Sequence, residues 1–325
     1  MKKVVGWGLV CGFLLVSEKC FCWGFYGHRK INYQAVFLLP PGMMVFYKKH
    51  VSFLTEHAVD PDKRRYAVAE EGPRHYIDLD QYGPEAAKVL PKKWTQAVNV
   101  FTEDSLHKHG IVPWWIQIML ARLTAAFKNK DAGRILKLSA EIGHYIADAH
   151  VPLHASSNHN GQLTNQHGIH GFWESRIPEM FADNHFDFLI GKAEYIADPL
   201  EFIWARVYES GLAADTVLSR ERELNSGFQE SAKYAFEERN GIMIKQYSTA
   251  YTTAYQRLLN DMVERRMRQS IYAVAGYWYT AWVNAGQPDL KGLSGDLFSE
   301  TDLQEWSDLH KSWLNRSPQE RSCTN

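Results

Sequence analysis

Asp131-Ala-Gly-Arg-Ile-Leu-Lys-Leu-Ser-Ala-Glu-Ile-Gly-His144-Tyr-Ile-Ala-Asp148-Ala-His150-Val-Pro152-Leu-His154 is the stretch that decides the fold. Asp131 can cap a helix that runs to about His150, and Pro152 forbids its continuation. Ile135, Leu138, Ile142, Tyr145, Ile146 and Ala149 recur at helical spacing and make one apolar face. His144 and Asp148 lie four apart, so their side chains stand one above the other. They leave the helix roughly opposite Ile135, flanked by Ala140, Gly143 and Ala147, which would admit a second segment at close range. Two ligands one turn apart on a rigid helix are a common way to build a zinc site. Taken alone, a His and an Asp on a solvated helix face would look the same.

Outward from this helix the spacing stays helical. Val112 to Phe127 opens with Pro113 at a helix start and carries Ile116, Leu120 and Leu123 on one side. Met43 to His57 reads as a helix burying Phe46, Val51 and Leu54. Tyr247 to Val283 reads as one long helix, with Tyr251, Tyr255, Leu258, Met262, Met267, Ile271, Val274 and Trp278 stepping along it. Alternating strand-like runs are scarce, and no repeat or Ser/Gly/Pro linker divides the chain. The expected fold is all-α, a single mainly helical bundle. After Pro288 the sequence turns polar, and residues 291–325 read as a peripheral tail.

The beginning reads as a leader. Lys2 and Lys3 precede an apolar run from Val4 to Val16, long enough for a signal-peptide core and short for a membrane span. Residues 1–22 are therefore expected to be a signal peptide, and 23–290 the working domain. Cys20 and Cys22 also invite a lipoprotein reading, which the preceding residues fit poorly. Only Cys323 of the four cysteines lies beyond the leader, so an exported chain would carry no internal disulfide. The expected location is periplasmic or secreted, with no transmembrane segment in the mature chain and no stable protein partner. A formal net charge of −1 supplies no basic field to gather nucleic acid.

Further His and carboxylate pairs surround the central motif. Sixteen residues after His154 comes His170-Gly-Phe-Trp-Glu174, again four apart. Upstream, Asp60 precedes His75 by fifteen residues. Trp23, followed by His28, would begin the mature chain, so its free amine and carbonyl could converge with the imidazole on one cation.

These elements resemble the superfamily of zinc-dependent phospholipases C and fungal-type single-strand nucleases. The match runs from Trp23 to about Glu174: a starting Trp then His, an Asp and a His about fifteen apart, H-x-x-x-D-x-x-x-P-[LM]-H, and a final H-x-x-x-[DE]. The resemblance implies a helical bundle with three zinc ions in a cleft. One would be held by Asp60, His75, His144 and Asp148. A close neighbour would use the Trp23 amine and carbonyl, His28, and Asp148 as a bridge. A third would use His154, His170 and Glu174. It implies a phosphodiester hydrolase in which a hydroxide shared by two metals attacks phosphorus, Asp60 orients it or takes its proton, and the third zinc stabilises the developing charge.

The substrate would be a phospholipid head group or single-stranded nucleic acid. Glu174 as last ligand, the absence of disulfides and the mild negative charge resemble the phospholipase side. His150 and Pro152-Leu153-His154 resemble the nuclease side, where bases would stack on aromatics. The favoured reading is phospholipase C-like hydrolysis, with a nuclease as the alternative and a non-catalytic zinc protein as a third class. Tyr76, Asn158 and Asn165 are candidate substrate contacts. His150 is expected to be structural, because helical rotation turns it away from His144 and Asp148. Trp114 and Trp115 are expected to pack.

Overall fold

The computed structural model describes residues 24–239, 242–293 and 297–315. Its long helices are α1 (Gly24–Val36), α2 (Val112–Lys128), α3 (Ala132–Asp148), α4 (Pro199–Gly227), α5 (Met262–Asn284) and α6 (Glu300–Leu314). Among the described residues the fold is all-α apart from one antiparallel hairpin of β1 (Tyr234–Arg239) and β2 (Ile242–Tyr247). Among the described residues, no single helix is long and apolar enough to cross a membrane. Glu103–His109 and Val112–Lys128 meet that test only together, as a pair bent by 100°.

α3 is the central element. The Asp131 carboxylate accepts the Arg134 N–H at 3.0 Å and starts the helix, as its spacing predicts. Ile135, Ile142, Tyr145 and Ile146 are fully buried, and α3 packs against α1, α2 and α5. The small residues at 140, 143 and 147 receive α1. The Asn32 Nδ2 donates to the Ala140 carbonyl at 3.0 Å and to the Leu54 carbonyl at 3.2 Å. A Cβ on Gly143 would sit 2.1 Å from the Asn32 Oδ1, so the crossing requires glycine.

The end of α3 is held just as firmly. Ser210 on α4 donates to the Ala149 carbonyl at 2.7 Å, and the Arg266 Nε on α5 donates to the His150 carbonyl at 2.7 Å. These groups satisfy carbonyls that the helix leaves open and set the exit angle toward His154.

Three expectations need correction. The stretch from Tyr247 to Val283 is two helices, Thr249–Leu258 and α5, because Asn260 and Asp261 both take left-handed backbone (φ 48° and 56°). Beside the break Leu259 and Val263 are buried in place of the expected Leu258 and Met262, while Tyr251, Tyr255, Met267, Ile271, Val274 and Trp278 are buried as expected. Met43–His57 is likewise divided into Pro41–Lys49 and Val51–Glu56, with His50 between them at φ −111°. The supposed tail contains α6, capped reciprocally by Ser299 and Asp302. Trp306 on α6 packs against Phe53, His57 and Phe298.

Candidate metal centre

Seven of the nine residues expected to hold metal converge at the α1–α3 crossing and the turns beyond α3. His28 comes from the middle of α1, and His144 and Asp148 from the last turns of α3. His75 ends a short 3-10 stretch, Ala69–His75. His154 sits in the 3-10 turn Pro152–Ala155. His170 and Glu174 flank the entry to a π-helical turn, Phe172–Arg176. Pro178 has no N–H to give the Glu174 carbonyl, which suits the wider turn before it.

Asp148 lies between two groups. Its Oδ2 is 2.9 Å from the His75 Nδ1 and 3.2 Å from the His144 Nε2. Its Oδ1 is 3.5 Å from the His28 Nε2 and 3.6 Å from the His154 Nδ1. The His28 and His144 rings stack at 3.8 Å. A third group forms beside them, with the Glu174 Oε2 3.0 Å from the His170 Nε2 and 3.5 Å from the His154 Nε2. Donor atoms in each of His28/His144/Asp148, Asp62/His75/His144 and His154/His170/Glu174 lie within 4.8 Å of one another.

The acidic residue near His75 and His144 is Asp62, where Asp60 was expected. The Asp62 Oδ1 is 3.7 Å from the His144 Nε2 and 3.9 Å from the His75 Nδ1. Asp60 turns away, with Oδ2 2.5 Å from the His57 Nδ1 and Oδ1 2.7 Å from the Lys63 Nζ. Both lie on the short helix Asp60–Arg64, and residues two apart on a helix diverge by about 200°. Only one of them can face His144.

The residues fit a cation. Both nitrogens of His28, both carboxylate oxygens of Asp62, the Asp148 Oδ1, the His154 Nε2 and the Glu174 Oε1 are buried without a hydrogen bond among the described residues. So many buried polar atoms would be costly if nothing met them. Nitrogen and carboxylate oxygen donors at this density are the donor set zinc prefers. Backbone carbonyls fix two imidazoles: the His144 Nδ1 bonds to the Ala58 carbonyl at 2.9 Å, and the His154 Nδ1 to the His75 carbonyl at 2.6 Å. Each thereby aims its Nε2 into the cluster.

The electrostatics reflect the crowding. Burial, then the neighbouring His144, pushes His28 well below the usual imidazole range. Burial also opposes charge on His144, but Asp148 and Asp62 outweigh it and raise its pKa to about 9. Burial would raise Asp148, yet His144 and His154 hold it well below the carboxylate range. Burial raises Asp62.

Other expected residues are less committed. Trp23 lies outside the described residues. Gly24, the first described, packs so tightly on Ser175 that a Cβ would sit 2.5 Å from its Oγ. The start of α1 therefore lies against the turn that carries Glu174. Tyr76 is half-buried, and its hydroxyl donates to the Lys108 carbonyl at 3.4 Å. Asn158 is absorbed in its own loop: its Oδ1 accepts the Leu163 N–H at 2.8 Å and its Nδ2 donates to Thr164 at 3.1 Å. Asn165 is exposed with φ 58°. His150 is buried and its Nδ1 contacts the Ile146 carbonyl at 2.7 Å.

Sequence reasoning missed Glu71. It is fully buried, its Oε1 accepts the Tyr145 hydroxyl, and its Oε2 accepts Arg74 Nη1 at 2.6 Å. Nothing in Glu70-Glu71 distinguishes it from an ordinary acidic pair. The chain matches no family model and no curated protein.

Proposed function

We propose that this chain is a zinc-dependent phosphodiester hydrolase of the phospholipase C type. The observation that carries the reading is the buried Asp148 carboxylate, with one oxygen toward His75 and His144 and the other toward His28. That is the disposition a bridging ligand needs between two neighbouring cations. His154, His170 and Glu174 would hold a further ion close by.

Bound zinc lowers the pKa of a coordinated water toward neutrality and stabilises charge on phosphoryl oxygens. The chain's own groups do the rest. His144 and His154 are locked through their Nδ1 atoms and cannot swing away from the cluster. Asp62 keeps acceptor capacity, because neither oxygen accepts a hydrogen bond among the described residues. It takes the role expected of Asp60: ligating, orienting the attacking water, or receiving its proton. The near-complete burial of the ligands keeps bulk water from competing. Export, with cleavage before Trp23, belongs to the same proposal, because the freed amine would be a further nitrogen donor for a cation.

The test is metal analysis of the purified protein, followed by hydrolysis of phosphatidylcholine and of single-stranded DNA, each with chelator and zinc add-back. Chelator-sensitive release of phosphocholine supports the proposal. Cleavage of DNA alone replaces it with the nuclease reading. Full zinc loading with neither substrate cleaved replaces it with a non-catalytic zinc protein. N-terminal sequencing of the exported form checks the processing step.

A further inference from the structure

His75 is held differently from the other cluster imidazoles. Its Nδ1 is the atom turned inward, 2.9 Å from the Asp148 Oδ2 and 3.0 Å from the His144 Nε2. Its Nε2 points outward toward the Oε1 of Glu71, 3.6 Å away and just beyond hydrogen-bond distance, and has no other partner among the described residues. Where His144 and His154 rest on neutral carbonyls, His75 faces a carboxylate. Glu71 cannot swing to solvent. Its Oε1 takes the Tyr145 hydroxyl, its Oε2 takes Arg74 at 2.6 Å, and Arg64 stands 3.4 Å from the same oxygen. Arg74 is braced in turn over the Trp115 ring at 4.0 Å. Tyr145 belongs to α3, one residue from His144, so this assembly is built into the helix that carries two of the ligands.

We propose that Glu71 is a positioning residue: it keeps the His75 proton on Nε2, and so presents a bare Nδ1 to a cation beside Asp148. A carboxylate behind an imidazole fixes both its tautomer and its ring orientation and makes it a better donor to a metal. Glu71 is not a ligand itself, since it lies on the far side of the ring. Tyr145 and Arg74 supply the rigidity, because an acceptor already bonded on both oxygens has one place to be.

This inference rests on the metal reading of the cluster, and its test separates the two. Nitrogen-15 NMR of histidine-labelled, zinc-loaded protein should find the His75 proton on Nε2 with the shift of an N–H facing a carboxylate, and Glu71→Gln should remove that shift. Zinc titration against a chromophoric chelator should show the same variant binding about 10- to 100-fold more weakly. Tyr145→Phe keeps the carboxylate and removes one donor; it should lose several-fold affinity, and it serves if Glu71→Gln does not fold. A His75 proton found on Nδ1, or wild-type zinc affinity in the variants, overturns the role of Glu71. Failure of the unaltered protein to bind zinc overturns the metal reading, whereas zinc binding by the unaltered protein with equal affinity in the variants overturns the role of Glu71 alone.

Discussion

Asp148 is the residue on which the cluster turns. Replacing it with Asn keeps the shape and removes the charge shared by His28, His75, His144 and His154. Asp148→Asn should lower bound zinc by more than a single equivalent and abolish phosphodiester cleavage, as metal analysis and assay of one preparation would show. Wild-type turnover would contradict the bridging role. Gly143→Ala tests the crossing beneath it. The added methyl meets the Asn32 Oδ1, so we expect a loss of about 1–3 kcal/mol in chemical denaturation. Asp60, displaced from the expected ligand set, instead supports acid stability. Burial would raise its pKa, but His57 and Lys63 outweigh that and hold it below the ordinary 3.8. Its contribution is therefore complete above that value and is lost as pH falls through the depressed one. Asp60→Asn should flatten this part of the acid-side fall in stability, measured by denaturation between pH 5 and about pH 2. His144 and Asp148, or His170 and Glu174, could be read from the sequence because four residues make a turn. The choice of Asp62 over Asp60 could not, since it depends on how a five-residue helix after Val59 is rotated, and no spacing rule reports that.

At the scale of elements, α3 was the most legible, because cap, apolar stripe and proline stop agree. The division between Thr249–Leu258 and α5 was hidden because the stripe continues across it in number while the backbone changes hand at Asn260 and Asp261. The hairpin had a cue in Asn240-Gly241, a favoured hairpin dipeptide, set among residues that showed no alternation strong enough to prompt a strand. Its base nonetheless supports the π turn: Tyr247 stacks on Phe172 at 3.8 Å, and Glu237 pairs with both Arg176 Nη atoms. α6 was missed because its apolar contacts are few and aromatic. Trp306→Ala should therefore loosen α6 selectively, with hydrogen exchange rising over 300–314 while α3 stays protected.

The molecule as a whole places its donors on segments far apart in sequence, so a cation that binds them also ties those segments together. Ligand binding to the folded state alone stabilises it by about 2.7 kcal/mol at a free concentration a hundred times Kd. Chelation should lower the melting temperature, and zinc should restore it in a concentration-dependent way. An unchanged melting temperature across that series would argue that the cluster binds no metal. The overall class was readable because helical periodicity is a local property. The meeting of three donor groups was readable only through resemblance, since sequence spacing does not state which helices touch.

The contact between Asn32 and the Ala140 carbonyl spans 108 residues. α1 is made early, yet the groove that receives it does not exist until residue 143 has been synthesised, and α5 follows later still. At about 5–20 residues per second, that is a wait on the order of ten seconds. During it, α1 has the nearby segment Val51–Val59 to pack on, but not α3 or α5. A helix made before α3 and α5 is thus fully seated only after both, and α1 of the nascent chain is expected to need shielding until then.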